Sequence, residues 1–256
     1  MKKLRRTNDT KVYKSGYVDV NDVPIYYQVM GNVKKESMVL LHGNGENHKV
    51  FKGQVAHYEK YYQLVLIDSR GHGKSGVGTE KLNFEIMAND VIGVLNQLHI
   101  QQAIVLGFSD GANIAVHLAL QAPERLKEMI IISGNIYPEG LKGWFRILIN
   151  TSYYFWMILE HLRIGNYKKH QQSALMAIYP TLSMQDLEQI QIRTLFLAAS
   201  NDIVSRQHTI EMAERMPNAK YVIIHNAKHM SLYSKPEDYF KQIDEFLEET
   251  NELIND

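Results

Sequence analysis

Ala103-Ile104-Val105-Leu106-Gly107-Phe108-Ser109-Asp110-Gly111-Ala112-Asn113-Ile114-Ala115-Val116-His117-Leu118-Ala119-Leu120 is the stretch that decides how this chain folds. Residues 103–107 are a short apolar run, the pattern of a strand buried on both faces of a parallel sheet. Residues 112–120 are apolar on nearly every side and stop before Pro123, which predicts a buried helix. Between them, Gly107-Phe108-Ser109-Asp110-Gly111 leaves no room for anything but a tight turn, with a glycine on each side so that neighbouring backbone can approach. The prediction is a strand, a sharp bend carrying Ser109, and a helix whose N-terminus points at that serine.

Further out, residues 15–20 and 23–29 alternate in polarity around Asn21-Asp22, as an opening antiparallel hairpin does. After the hairpin the rhythm changes. Apolar strand candidates fall at 38–41, 63–67, 103–106, 129–132, 194–198 and 221–224, with helix-length segments between most of them. Strand–helix alternation of this kind predicts an α/β fold, a mostly parallel, doubly wound sheet covered on both faces. Residues 236–253 put Tyr239, Phe240, Ile243, Phe246 and Leu247 on one helical stripe with acids opposite, a packing helix.

The alternation breaks once. More than fifty residues after Gly134 contain no convincing strand, and they hold both tryptophans, Trp144 and Trp156, with Phe145, Tyr153, Tyr154, Phe155 and Tyr167. The expected division is a core of residues 1–134 and 191–256 with a helical cap insertion, 135–190, folded over the carboxyl edge of the sheet, where open α/β sheets bind ligands. Most of these aromatics are expected to pack the insertion onto the core, and at least one to face the pocket.

Composition narrows the function classes. Lys plus Arg and Asp plus Glu each number 28, so net charge is zero and no global field draws in nucleic acid. A small-molecule substrate, neutral or weakly charged, fits better. The absence of cysteine excludes disulfides, thiolate catalysis and Cys-based metal sites, and agrees with a cytoplasmic location. The basic start, Met1 to Arg6, is followed by polar residues where the apolar part of an export signal would stand. The one candidate for membrane contact, residues 144–159, is interrupted by Arg146, Asn150, Thr151 and Ser152, short of the ~20 apolar residues of a span.

A serine hydroxyl is a weak nucleophile at neutral pH; it needs a base, and the base an orienting acid. In the order serine, acid, histidine, the chain supplies Asp202 just past the sixth of the seven strand candidates that follow the hairpin's first arm, and His229 just past the next. His225 is the nearest rival base, expected on the strand end, whereas His229 is expected in a loop able to reach back. Asp110 is the rival acid, expected to point along the helix start where it favours the dipole. The position after the 129–132 strand, another place for an acid, holds Asn135. An acyl transition state also needs two preformed donors. The main-chain N–H groups of Asp110, at a helix N-terminus, and of Asn44, in the loop His42-Gly43-Asn44-Gly45, are the candidates.

Taken together, His42-Gly43-Asn44-Gly45, Asp68-Ser69-Arg70-Gly71-His72-Gly73-Lys74-Ser75, Gly107-Phe108-Ser109-Asp110-Gly111, Asp202 and His229 resemble the α/β-hydrolase family over nearly the whole chain. That resemblance implies the α/β-hydrolase fold, a triad of Ser109, Asp202 and His229, an oxyanion hole from the amides of Asn44 and Asp110, a cap over the site, and no cofactor. The 68–75 segment is similar to the family's structural turn beside the sheet edge. Two other motifs fail: Gly73-Lys74-Ser75 lacks the first glycine of a phosphate-binding loop, where Asp68 stands, and His225 and His229 lack a zinc-protease glutamate between them. Neither nucleotide nor metal is expected. The expected activity is hydrolysis of a small, largely apolar ester through an acyl-enzyme. Amide, thioester or carbon–carbon bond hydrolysis and acyl transfer use the same residues, and a non-catalytic binding protein on the same scaffold is the alternative from another class.

Overall fold

The computed structural model describes residues 12–255; the basic start of the chain lies outside them. Strands β1 (Val12–Val20) and β2 (Val23–Gly31) form the antiparallel hairpin, and both turn residues, Asn21 and Asp22, take positive φ, as a two-residue hairpin turn requires. Then follow β3 (Ser37–Leu41), β4 (Gln63–Ile67), β5 (Ala103–Phe108), β6 (Leu126–Ile132), β7 (Arg193–Asn201) and β8 (Ala219–Lys228). They make one sheet in the order β1-β2-β4-β3-β5-β6-β7-β8. The pairings of β1 with β2 and of β2 with β4 are antiparallel, and every other pairing is parallel. The carboxyl ends of the six parallel strands thus share one edge.

Period-two alternation sorts each strand between two apolar cores. Val39, Leu41, Val65, Ile67 and Val105 face a layer built from α2 (Phe84–Gln97), α3 (Asp110–Gln121) and α7 (Arg206–Arg215). Met38, Leu40, Leu64, Leu66 and Ile104 face α1 (Lys52–Tyr58) and α9 (Pro236–Asn255), whose Tyr239, Phe240, Ile243, Phe246 and Leu247 are all buried. A strand whose every residue is covered must be apolar throughout, which is why these runs are continuous in the sequence.

The segment between β6 and β7 carries α4 (Gly143–His161), α5 (Tyr167–Ala177) and α6 (Met184–Glu188). The first two pack on each other. Leu187 of α6 instead shares a core with Met212 of α7, so this last helix belongs to the layer against the sheet. Strand β8 is longer than its apolar run: it continues to Lys228, which pairs with Asn201 across an irregular register, with Asn226 at φ +53. His225 therefore lies inside the strand and exposed. His229 follows the strand directly, with no intervening loop.

Candidate active site

Ser109 sits between the end of β5 and the first turn of α3 at φ 54 and ψ −117, a conformation that L-residues rarely adopt and that costs about 1–3 kcal/mol. Its backbone is held from both sides. The Ser109 N–H donates to the Ile132 carbonyl at 2.8 Å, and its own carbonyl accepts from Ala112 and Asn113 at 2.9 and 3.1 Å. A Cβ on Gly107 would run into the Gly111 carbonyl, and one on Gly111 into the Leu41 carbonyl. Both glycines are thus required by close backbone approach.

Two strands away, Asp202 is 3% exposed at the end of β7 and is wrapped in donors. Its Oδ1 accepts from the main-chain N–H groups of Ile203 and Val204 at 2.7 and 3.3 Å, and its Oδ2 from Ala199 N–H at 3.2 Å and from the Ser133 hydroxyl at 2.5 Å. His229 Nδ1 donates to Asp202 Oδ1 at 2.6 Å. Burial works to raise the Asp202 pKa, but the hydrogen bond and charge of His229, with the bonds from Ser133 and Ala199, outweigh it and hold the carboxyl below its ordinary value. Asp202 therefore stays ionised at neutral pH. With Nδ1 carrying the donated proton, the neutral ring keeps Nε2 as an acceptor.

The His229 ring lies against Phe108, the neighbour of Ser109, with ring centroids 4.9 Å apart. Ser109, Asp202 and His229 thus stand on the same sheet edge. Asp202 and His229 are in contact, while the Ser109 hydroxyl has no hydrogen-bond partner among the described residues.

The amides of Asn44 and Asp110 have no acceptor among the described residues, and Asp110, as the first residue of α3, offers an N–H that no helical carbonyl can take. The loop holding Asn44 is shaped by Glu46, whose Oε2 accepts from Gly43 N–H at 2.9 Å and from the Tyr233 hydroxyl at 2.9 Å. Burial raises the Glu46 pKa against those two bonds and the nearby His229. Asn44 Nδ2 bridges Asp110 Oδ2 at 2.8 Å and the Gln172 carbonyl at 2.9 Å, tying this loop to α5.

Asp110 adjoins Ser109: its side chain is buried, lines the cleft and accepts from Asn44 Nδ2. Burial pushes its carboxyl up to about 6, with the Asn44 bond opposing. The cleft walls combine polar Asp110, Asn113 and Asn135 beside Ser109 with apolar Leu141, Phe145, Leu175 and Met176 and with Tyr179, and they enclose about 20 Å³, room for roughly one water. Phe145 and Tyr179 are the aromatics of the 135–190 insertion that reach this wall.

The other turns singled out in the sequence are structural. His42 donates from Nδ1 to the Gly43 carbonyl and accepts at Nε2 from Ser69 N–H, and its burial lowers its pKa, so the ring is neutral. Arg70 forms a buried fork with Asp90 at 2.8 and 2.5 Å. Asp68 accepts from His48 and from Lys74 N–H, and a Cβ on Gly73, at φ +48, would collide with its carboxylate. Ser133 and Glu46 escaped the sequence reading. Ser133 directly follows an apolar strand, the kind of place that could have marked it; Glu46 carries no such signal.

Among the described residues no helix is long and apolar enough to cross a membrane. The family model for the alpha/beta hydrolase fold matches residues 36–156. A candidate esterase/lipase of Haemophilus influenzae is 23% identical over 251 residues, covering 87% of this chain and 86% of the relative. The 3-oxoadipate enol-lactonase 2 of Acinetobacter baylyi is 29% identical over 110 residues, 43% of this chain and 41% of the relative. A crystal structure of a hydrolase from Pseudomonas aeruginosa superposes with a TM-score of 0.77 at 19% identity, covering 93% of this chain and 99% of that one. The chain has the α/β-hydrolase fold and is similar to hydrolases of that family.

Proposed function

We propose that this protein cleaves small, largely apolar carboxylic esters through an acyl-enzyme on Ser109, with His229 as base and Asp202 as its orienting acid. The observation that carries the reading is the ionised Asp202 holding His229 Nδ1 at 2.6 Å, on the sheet edge where Ser109 occupies a strained bend. His229 Nε2 takes the Ser109 proton as the oxygen attacks the ester carbonyl, and the free amides of Asn44 and Asp110 stabilise the resulting oxyanion. Collapse expels the alcohol, protonated by His229. Water, deprotonated by the same ring, attacks the acyl-enzyme and releases the acid, returning the proton to Ser109. Asp202 stays ionised throughout and stabilises the imidazolium.

The ester class is supported by the apolar wall of Leu141, Phe145, Leu175 and Met176, and by relatives named as an esterase/lipase and an enol-lactonase. The segment 135–190 is read as the cap, of which α4 and α5 supply that wall. A cysteine-free chain of this kind suits the reducing cytoplasm.

The test is turnover of p-nitrophenyl esters of graded acyl length. A cleft of about 20 Å³ predicts the highest kcat/KM for the shortest chains, with an initial burst of nitrophenol stoichiometric with enzyme. Ser109→Ala should lower kcat by about four to six powers of ten. Turnover that survives in Ser109→Ala, or an ester series that is inert throughout, defeats the proposal.

A further inference from the structure

Helix α4 has two faces of different fate. One carries Phe145, at the cleft wall, and the buried Ile149. The other presents Trp144, Ile147, Leu148, Phe155 and Ile158, which are 62, 70, 58, 54 and 53% exposed, and the line continues through Leu162 at the end of the helix, 58% exposed. With Thr151, their spacing follows the 3.6-residue period, so they lie in one stripe along a helix about 28 Å long. Ile164, in the turn beyond, is 72% exposed. A soluble surface scatters such residues singly; a contiguous row needs a partner.

Charge selects the partner. From Lys142 to Lys169 there are five Lys or Arg and one Glu, in a chain whose net charge is zero. Lys142 stands at the N-terminal end of the stripe; Arg163, Lys168 and Lys169 stand beyond its C-terminal end, in the turn and at the start of α5. None of these four has an ion-pair partner among the described residues, whereas Arg146, on the opposite side of α4, is paired with Glu139. A second copy docking stripe to stripe would bring two like-charged rims together, which opposes that pairing. An anionic lipid surface answers both features at once: apolar and aromatic side chains enter the headgroup–acyl boundary and basic side chains meet the headgroups.

We propose that the outer face of α4 seats the protein on anionic membrane surfaces, lying in the interface without spanning it. This inference stands apart from the ester reading, since it concerns the face of α4 turned away from the cleft. It places the helix that walls the cleft at the boundary of the acyl phase.

The experiment is co-sedimentation of the full chain with phosphatidylcholine vesicles and with vesicles containing one-third phosphatidylglycerol, at 0.1 and 0.5 M salt. Wild type should bind the anionic vesicles at least tenfold more tightly than the neutral ones and lose most of that advantage at high salt. Ile147→Glu with Phe155→Glu should weaken anionic binding at least tenfold, while hydrolysis of a soluble ester and the melting temperature stay unchanged. Lys168→Glu with Lys169→Glu should do the same through charge. Equal binding to both vesicle types, or unaltered binding by the Ile147/Phe155 variant, overturns the proposal. So does a dimer in sedimentation velocity that this variant dissociates while wild type ignores vesicles, which would assign the stripe to a second copy. These outcomes are independent of whether esters are cleaved.

Discussion

Of the histidine–aspartate couples among the described residues, two join through Nδ1 with nearly the same geometry, and they teach different lessons. His229 Nδ1 lies 2.6 Å from Asp202, at the ends of β8 and β7; His48 Nδ1 lies 2.8 Å from Asp68, at the end of β4. In both, hydrogen bonds outweigh burial and hold the carboxyl below its ordinary value. What differs is the outer nitrogen's surroundings. The His48 side chain is 6% exposed and its ring packs at 5.3 Å from Tyr26, with no nucleophile at hand. The His229 side chain is 15% exposed and its ring lies against the residue before Ser109. Histidine–carboxylate pairing alone therefore marks no active site. Access and an adjoining nucleophile on a strained bend are what the proposed site adds, and the buried couple serves instead to knit β4 to the loop after β3.

Substitutions separate the two couples by the quantity they change. The largest effect is expected for Asp202→Asn, which should lower kcat about ten-thousandfold by favouring the wrong tautomer of His229, measured in steady-state ester hydrolysis with KM little altered. Asp68→Asn should leave kcat per folded molecule within a few-fold and instead cost about 2–4 kcal/mol of stability, read from denaturant unfolding. The sign with pH follows from the lowered Asp68 pKa: the contribution is present above the unfolded carboxylate range and is lost as pH falls through the folded pKa, so wild type and variant should differ at neutral pH and converge only below the ordinary carboxylate range. If Asp68→Asn instead abolished turnover in a fully folded protein, the distinction between the couples would collapse.

A middle effect is expected at Ser133. Ser133→Ala removes the 2.5 Å bond to Asp202 Oδ2 while leaving three main-chain donors, so kcat should fall about tenfold with KM unchanged. The smallest concerns Asp110. A buried carboxyl raised to about 6 weakens the fold as pH climbs from about 4 to 6, so Asp110→Asn should gain stability relative to wild type by about 2–3 kcal/mol at pH 8 and by little at pH 4, in melting curves at the two pH values. An equal gain at both would show that the carboxyl is not held in that state.

The doubly wound sheet was legible because its parallel strands are covered on both faces, which makes 64–67 or 103–106 an unbroken apolar run. The bend at Ser109 was legible because backbone crowding admits only glycine at 107 and 111. Contacts across long separations were not. His48 and Asp68 are twenty residues apart, Ser133 and Asp202 sixty-nine, Asn44 and Gln172 one hundred and twenty-eight, and no local periodicity encodes such meetings. The same holds for the bond between Asn44 and Asp110, sixty-six residues apart. The extension of β8 to Lys228 was hidden because 225–228 are polar or small, and only pairing with β7 makes them strand.

The central claim is that Ser109 is the residue that becomes acylated, activated by the His229–Asp202 couple and not by the His48–Asp68 one. Reaction with a fluorophosphonate followed by peptide mass spectrometry tests it. The account predicts a single adduct on the peptide carrying Ser109, formed at an undiminished rate in His48→Gln and slowed at least a thousandfold in His229→Gln; an adduct on another residue, or labelling of Ser109 that ignores His229, would contradict it.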